Sequence, residues 1–180
     1  MYQGSLVRLR RVEPERDTAD RYRWLNDPEV VQYLAMRPAR VSREEVRQYL
    51  DSCARGTDPA EFAIEALDGT HIGGCTLRGF NHVARSAEFG ICIGEKGYRG
   101  HGYGTDVSRL MAKIGFEEFN LNRIWLTVYE PNAGGVRAYE KAGFAVEGRL
   151  RQYAYLHGQY LDSFLMAILR EDYENGKGRA

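Results

Sequence analysis

Residues 91–106 read ICIGEKGYRGHGYGTD, and four glycines (Gly97, Gly100, Gly102 and Gly104) fall within eight positions just before a stretch of helical periodicity. A helix start leaves about four backbone N–H groups without partners, and its dipole places roughly half a positive charge there. A phosphate satisfies several of those donors at once if no β-carbon holds it off, and glycine removes that obstacle. Arg99 opens the segment and His101 sits within it; an arginine beside a phosphate adds a charge-assisted contact. The chemistry expected is therefore the binding of an anion against the main chain. A connection without a ligand is the weaker reading, since each unneeded glycine inside a helix costs roughly 1 kcal/mol.

Three ways of holding a phosphate compete for this segment. A Walker A loop requires lysine and then serine or threonine after its last glycine, whereas Gly104 is followed by Thr105 and Asp106, so that scheme fails. The dinucleotide fingerprint GxGxxG sets its third glycine at Thr105 and asks for an acidic residue at the end of the next strand, where Tyr129 stands. The pattern that remains is R-x-x-G-x-G, from Arg99 through Gly102 to Gly104.

The elements that must position this segment follow from periodicity. Residues 5–12 alternate as a half-buried strand, and residues 17–25 read as a short helix with Tyr22 and Leu25 inward, stopped by Asn26, Asp27 and Pro28. Ser42 and Glu45 have capping-box spacing at the head of a second helix with Val46, Tyr49, Leu50 and Cys53 as its stripe. A hairpin over 61–77 turns at Asp68 and Gly69, and a third central strand covers 87–93. A helix over 105–119 carries Val107, Leu110, Met111, Ile114 and Phe119; a strand at 123–129 follows. A helix over 132–142 is closed by Gly143 with Phe144 behind it, and two strands that turn at His157 and Gly158 finish the chain. The order predicts one domain over residues 1–173, with residues 174–180 a frayed tail. Its class is α/β in the α+β sense: a mixed, mostly antiparallel seven-stranded sheet with helices on both faces, without the regular alternation of a doubly wound fold.

The chain has 180 residues, and 25 basic side chains cancel 25 acidic ones. No global field draws it to nucleic acid or to an anionic membrane surface. No apolar run approaches the roughly eighteen residues of a membrane span, so the expected location is cytoplasmic. Cys53, Cys75 and Cys92 are odd in number and lack metal-ligand or CxxC spacing, which predicts buried small hydrophobes and no metal site.

Together with "WLNDPEVVQYL", "NHVARSAEFGI", "NAGGVRAYEKAGF" and "GQYLDSFLMAI", the segment "GYRGHGYGTD" resembles the GNAT superfamily of N-acetyltransferases over nearly the whole chain. The likeness is to its RimJ/RimL-type branch, and "NHVARSAEFGI" is also similar to spermidine acetyltransferases. The resemblance implies acetyl-CoA as co-substrate, its pyrophosphate on Arg99, Gly100, His101, Gly102, Tyr103, Gly104 and Thr105. It further implies splayed central strands, with Ile91 and Ile93 offering amides to pantetheine and the thioester carbonyl, and with Gly90 a bulge site. A homodimer is plausible in the family. Two departures stand out: "IGEKGYRG" lacks a proline usual there and is one residue longer, and Gly134 and Gly135 replace better helix formers.

Acyl transfer to an amine needs a neutral nucleophile, a polarised carbonyl and a protonated leaving thiolate. Deprotonating a polyamine-like nitrogen at pH 7 costs roughly 4.6 kcal/mol, and an α-amine about 1.4. Glu88 matches the family's water-linked base, and Tyr139 is the candidate acid for the thiolate. Asn132, seven residues earlier, shares its helix face and binds pantetheine or caps the helix. The acceptor is expected to be a protein N-terminus or a small-molecule amine (polyamine, amino sugar, antibiotic), met by the first two helices, the loop near Asn81 and His82, and the last hairpin, where Glu29, Tyr33 and Asp162 read equally as contacts to a cationic amine or as solvated surface. The alternative is a non-catalytic acyl-CoA-binding sensor.

Overall fold

The computed structural model describes residues 1–34, 40–56, 60–156 and 158–177; His157, of the expected last turn, lies outside them. The chain opens with β1 (Tyr2–Gln3), β2 (Val7–Arg11), α1 (Pro14–Leu25), α2 (Pro28–Val31) and α3 (Arg43–Arg55). The meander β3 (Ala60–Ala66), β4 (His71–Asn81) and β5 (Ser86–Ile93) follows, then α4 (Tyr103–Glu117), β6 (Arg123–Tyr129) and α5 (Ala133–Lys141). The chain closes with β7 (Ala145–Leu156), β8 (Gln159–Leu169) and α6 (Arg170–Lys177).

The strands form one eight-stranded sheet in the order β1-β2-β3-β4-β5-β6-β8-β7, in which β5 and β6 are parallel and every other pair is antiparallel. The strand beyond the expected seven is β1, whose two residues are too short to show a period. Likewise α6 lies where the tail was expected to fray from residue 174, its sequence REDYENGK showing no apolar stripe to read.

Strand alternation divides the central sheet into two unlike faces. On one, Ile64, Cys75, Leu77 and Phe89 pack with Val107, Met111 and Ile114 of α4 in the main core. The other lies beneath α1 and is polar. There Arg10 donates to Asp17 and Glu65, while Arg21 donates to Glu61. The α1 residues that are buried are Asp17, Thr18 and Trp24, whereas Tyr22, expected inward, is exposed. The helix starts at Pro14, and its inward stripe runs through Asp17, Arg21 and Trp24 at helical spacing, a charged stripe that a search for apolar periodicity passes over. Similarly, in α4 the buried end of the stripe is Phe116, and Phe119 is exposed beyond the helix.

Local signals are realised as written. Ser42 and Glu45 form the reciprocal capping box, and Gly143 at φ +99° lets Phe144 N–H return to Tyr139 C=O at 3.0 Å.

Candidate active site

β5 and β6 pair over only three rungs, from Ser86–Arg123 to Glu88–Trp125, while β6 continues along β8 to Tyr129. Beyond Glu88 the two strands diverge. Gly94 N–H donates to Ile72 C=O on the β4 side at 2.8 Å; alternation therefore turns the amides of Ile93 and Ile91 away from β4 into the gap. The splay arises without a bulge at Gly90, which pairs in regular register with Thr76. The register break in this strand pair lies between Arg78 and Asn81 instead.

The gap opens into a cavity of about 690 Å³ whose walls include Glu88, Ile91, Ile93, Arg99, Gly100, Gly102, Gly104, Thr105, Asn132 and Tyr139. Ten of the twelve expected residues thus meet around one space. The side chains of His101 and Tyr103 do not line it: His101 is exposed, and Tyr103 packs edge-on against Tyr98 with centroids 5.1 Å apart.

At one end the glycine loop presents its main chain. Tyr98 and Arg99 donate to Glu95 and Lys96 C=O in a 3-10 turn over Lys96–Tyr98. From Gly100 to Thr105, none of the six backbone N–H groups has an acceptor among the described residues; the next amide, Asp106, donates to Gly102 C=O. Gly100 and Gly102 hold φ of +79° and +89°, which glycine adopts without strain. Gly104 is different: its φ is ordinary, and an added β-carbon would meet only Ala138 Cβ at 3.9 Å. Neither conformation nor packing requires glycine at that position.

Arg99, expected beside the pyrophosphate, also has partners within the chain. Its guanidinium donates to Ile93 C=O from Nε at 3.0 Å and Nη2 at 2.8 Å, and to Glu29 C=O at 3.1 Å, so it closes the end of the gap against α2. Other cations line the cavity from α5, Arg137 and Lys141; no spacing rule singles them out from surface charges. Thr105 Oγ1 donates to Ala138 C=O at 3.3 Å, joining α4 to α5. Asn132 is the N-cap of α5, its Oδ1 accepting from Gly135 N–H at 3.0 Å. A β-carbon on Gly135 would fall 2.7 Å from Asn132 Nδ2, which explains one unusual glycine of this helix.

Both Glu88 oxygens accept from Arg78, at 3.0 and 2.8 Å, across the β4–β5 register. Sequence reading missed Arg78, because a cross-strand pair is visible only once register is known. Tyr139 stands between Phe89 and Phe144, with centroids 6.2 and 6.0 Å away. Burial, with Cys92 nearby, raises its phenol above the ordinary value. Burial also raises the Cys53, Cys75 and Cys92 thiols.

Of the expected acceptor contacts, Glu29 and Tyr33 line the cavity. Asp162 accepts from Arg149 and Gln152 N–H in a separate concavity on the last hairpin. Asn81 holds its own turn through Ala84 N–H, and His82 stacks on Phe80.

A strand gap flanked by free amides, and a helix start with six unpaired donors at its end, define a site for an extended ligand that carries a phosphate group. Residues 7–145 match the acetyltransferase (GNAT) domain family, and the chain belongs to it. It is an acetyltransferase, and acetyl-CoA is the co-substrate of this family. The chain is 32% identical over 167 residues to a spermidine N(1)-acetyltransferase of Escherichia coli K12, covering 93% of this chain and 88% of that one. It is 38% identical over 132 residues to a probable N-acetyltransferase, YjcK, of Bacillus subtilis, covering 73% of each. Among solved structures it resembles the spermidine N-acetyltransferase of Vibrio cholerae in complex with CoA and spermine, with a TM-score of 0.86, 27% identity, and coverage of 94% and 98%. No helix among the described residues is long and apolar enough to cross a membrane.

Proposed function

We propose that this cytoplasmic enzyme, of the RimJ/RimL-type branch, moves an acetyl group from acetyl-CoA to a primary amine by direct attack in a ternary complex. The observation that carries the reading is the row of six unpaired amides, residues 100–105, at the end of a gap whose walls hold Glu88 and Tyr139. The pyrophosphate lies on those amides, with Arg137 and Lys141 near by, and pantetheine runs along Ile91 and Ile93. Asn132 keeps its side-chain NH2 for the pantetheine amides while its oxygen caps α5.

The amine nitrogen attacks the thioester carbonyl carbon; a C–N bond forms and the C–S bond breaks. The Ile91 or Ile93 amide donates to the developing oxyanion. One amine proton passes through water to Glu88, whose oxygens each keep a lone pair beyond those that Arg78 uses. The Tyr139 hydroxyl donates a hydrogen bond to the departing sulfur, which leaves as the thiolate and takes its proton from water, so the products are the N-acetyl amine and the free thiol. That relatives act on spermidine supports an amine acceptor, of which a polyamine is one candidate. The protein N-terminus and other small amines are alternative acceptors, and a homodimer is its proposed assembly.

Thiol release from acetyl-CoA across a panel of amines, alongside calorimetric CoA affinity, tests this. Release with at least one amine class is expected; tight binding without release from any would refute it. With an accepted amine, Glu88→Gln should retain CoA affinity and flatten the pH dependence of turnover.

A further inference from the structure

Register fixes what lies on the cavity floor beneath α1. Glu61, Thr76 and Gly90 form one cross-strand row on β3, β4 and β5. Two residues along β4, roughly 7 Å in either direction, the same face carries Gly74 and Arg78. The Arg21 guanidinium lies over Gly74 so closely that a β-carbon there would sit 2.0 Å from Nη2. It donates to Glu61, whose other oxygen accepts from the Tyr49 hydroxyl at 3.3 Å. Arg78 and Glu88 occupy the other side of the row.

Each carboxylate in the cavity wall therefore has a cationic partner: Glu61 has Arg21, Glu88 has Arg78, and Glu29 has Lys96. No anion among the described lining residues is left to receive a second or third ammonium group, and a buried charge without a partner is strongly disfavoured. Two polar groups on this floor are themselves orphaned. Arg21 Nε–H and the Thr76 hydroxyl are buried with no hydrogen-bond partner among the described residues, and both residues line the cavity. Such groups call for a ligand that supplies an acceptor.

We propose that this floor is a subsite for an α-aminoacyl group, a primary amine one carbon away from a carbonyl or carboxylate, whose oxygen accepts from Arg21 Nε–H and Thr76 Oγ1–H. The inference rests on the proposed transfer to a primary amine and narrows it. A polycation satisfies neither orphaned donor and adds charges that the floor does not balance. An α-aminoacyl compound brings one ammonium, loses its proton readily, and fills both vacant hydrogen bonds.

The experiment compares glycinamide, glycine and triglycine with propylamine and spermidine as acceptors, by thiol release from acetyl-CoA. The kcat/KM for glycinamide is expected to exceed those for propylamine and spermidine at least tenfold. Thr76→Val, which removes the hydroxyl at constant shape, should lower the glycinamide-to-propylamine ratio at least tenfold, a ratio in which amine basicity cancels. Arg21→Lys keeps the charge beside Glu61 but lacks Nε–H, and should lower the same ratio if the valine variant fails to fold. Triglycine above glycine supports the subsite with a peptide N-terminus as its source, and the reverse supports it with a free amino acid. Spermidine preferred to glycinamide, or a ratio unmoved in both variants, overturns the subsite and leaves the transferase standing. No release from any amine overturns both.

Discussion

Tyr139 occupies an aromatic wall, and its elevated phenol stays protonated throughout the neutral range. A thiolate has an ordinary pKa near 8.5, so full proton transfer from such a phenol is uphill by more than about 2 kcal/mol. In the proposed mechanism its contribution is then a hydrogen bond to the sulfur as charge develops there. Tyr139→Phe should lower kcat about tenfold or more and move the CoA dissociation constant less than twofold, as read by steady-state kinetics and calorimetry; an unchanged kcat would remove Tyr139 from the reaction. Glu88 was legible through family likeness, yet its tie to Arg78 was not, nor was the tie of Arg21 to Glu61 across 40 positions. Both depend on which residues register brings opposite one another. The carbonyl partner of Arg99 was illegible for a related reason: Ile93 C=O is exposed only because β5 and β6 part.

At the scale of elements, the junction of β5 and α4 joins two demands, a strand that releases its edge and a helix that starts bare. Asp106, in the first turn of α4, accepts from the amides of Ser5, Leu6 and Val7 at 3.1, 2.7 and 3.1 Å, which pins the back of the loop to the β1–β2 connection. The front stays open at Gly104. Gly104→Ala should therefore stabilise the protein by about 0.5–1 kcal/mol, because alanine loses less freedom in a helix. The same methyl should weaken CoA binding tenfold or more. Chemical denaturation and calorimetry on one variant give both readings, and a stabilised protein with unchanged affinity would show that no ligand approaches there. Elements governed by local rules were readable from composition and spacing: the Ser42 capping box, the Gly143 cap, and β6, whose seven residues match the expected strand. The splay was expected by likeness alone, since it is a relation between two strands that no single segment encodes.

For the whole molecule, the layer between α1 and the sheet is a set of buried charges, and this makes stability a function of pH. Burial pushes the His71 imidazole below its ordinary 6.5, against the pull of Asp17 and Asp20. Between its folded value and 6.5 the unfolded chain binds the proton and the folded chain does not, so stability falls as pH drops below 6.5. Burial would raise the Asp17 carboxyl, but hydrogen bonds from Arg10 and Glu13 N–H more than offset it and hold it below 3.8. Its contribution is complete above 3.8 and is lost as pH falls through the lower folded value. Urea unfolding should therefore show little change from pH 8 to 7. A decline with a slope of up to about 1.4 kcal/mol per pH unit for one proton should follow below 6.5, and a second loss below pH 4. His71→Gln should remove the first decline, and a variant that keeps it would place the titration elsewhere.

The three rungs between β5 and β6 are the seam along which this sheet is nearly two sheets. An empty gap leaves two inward-facing borders of unmatched peptide groups, which in other proteins invite a foreign strand. The pantetheine placement proposed above would lay a substitute strand between them, so that the cosubstrate would knit the two halves together. Resistance to unfolding should accordingly rise with free coenzyme concentration relative to its dissociation constant, and a cell short of coenzyme A would hold this enzyme in its least cohesive form.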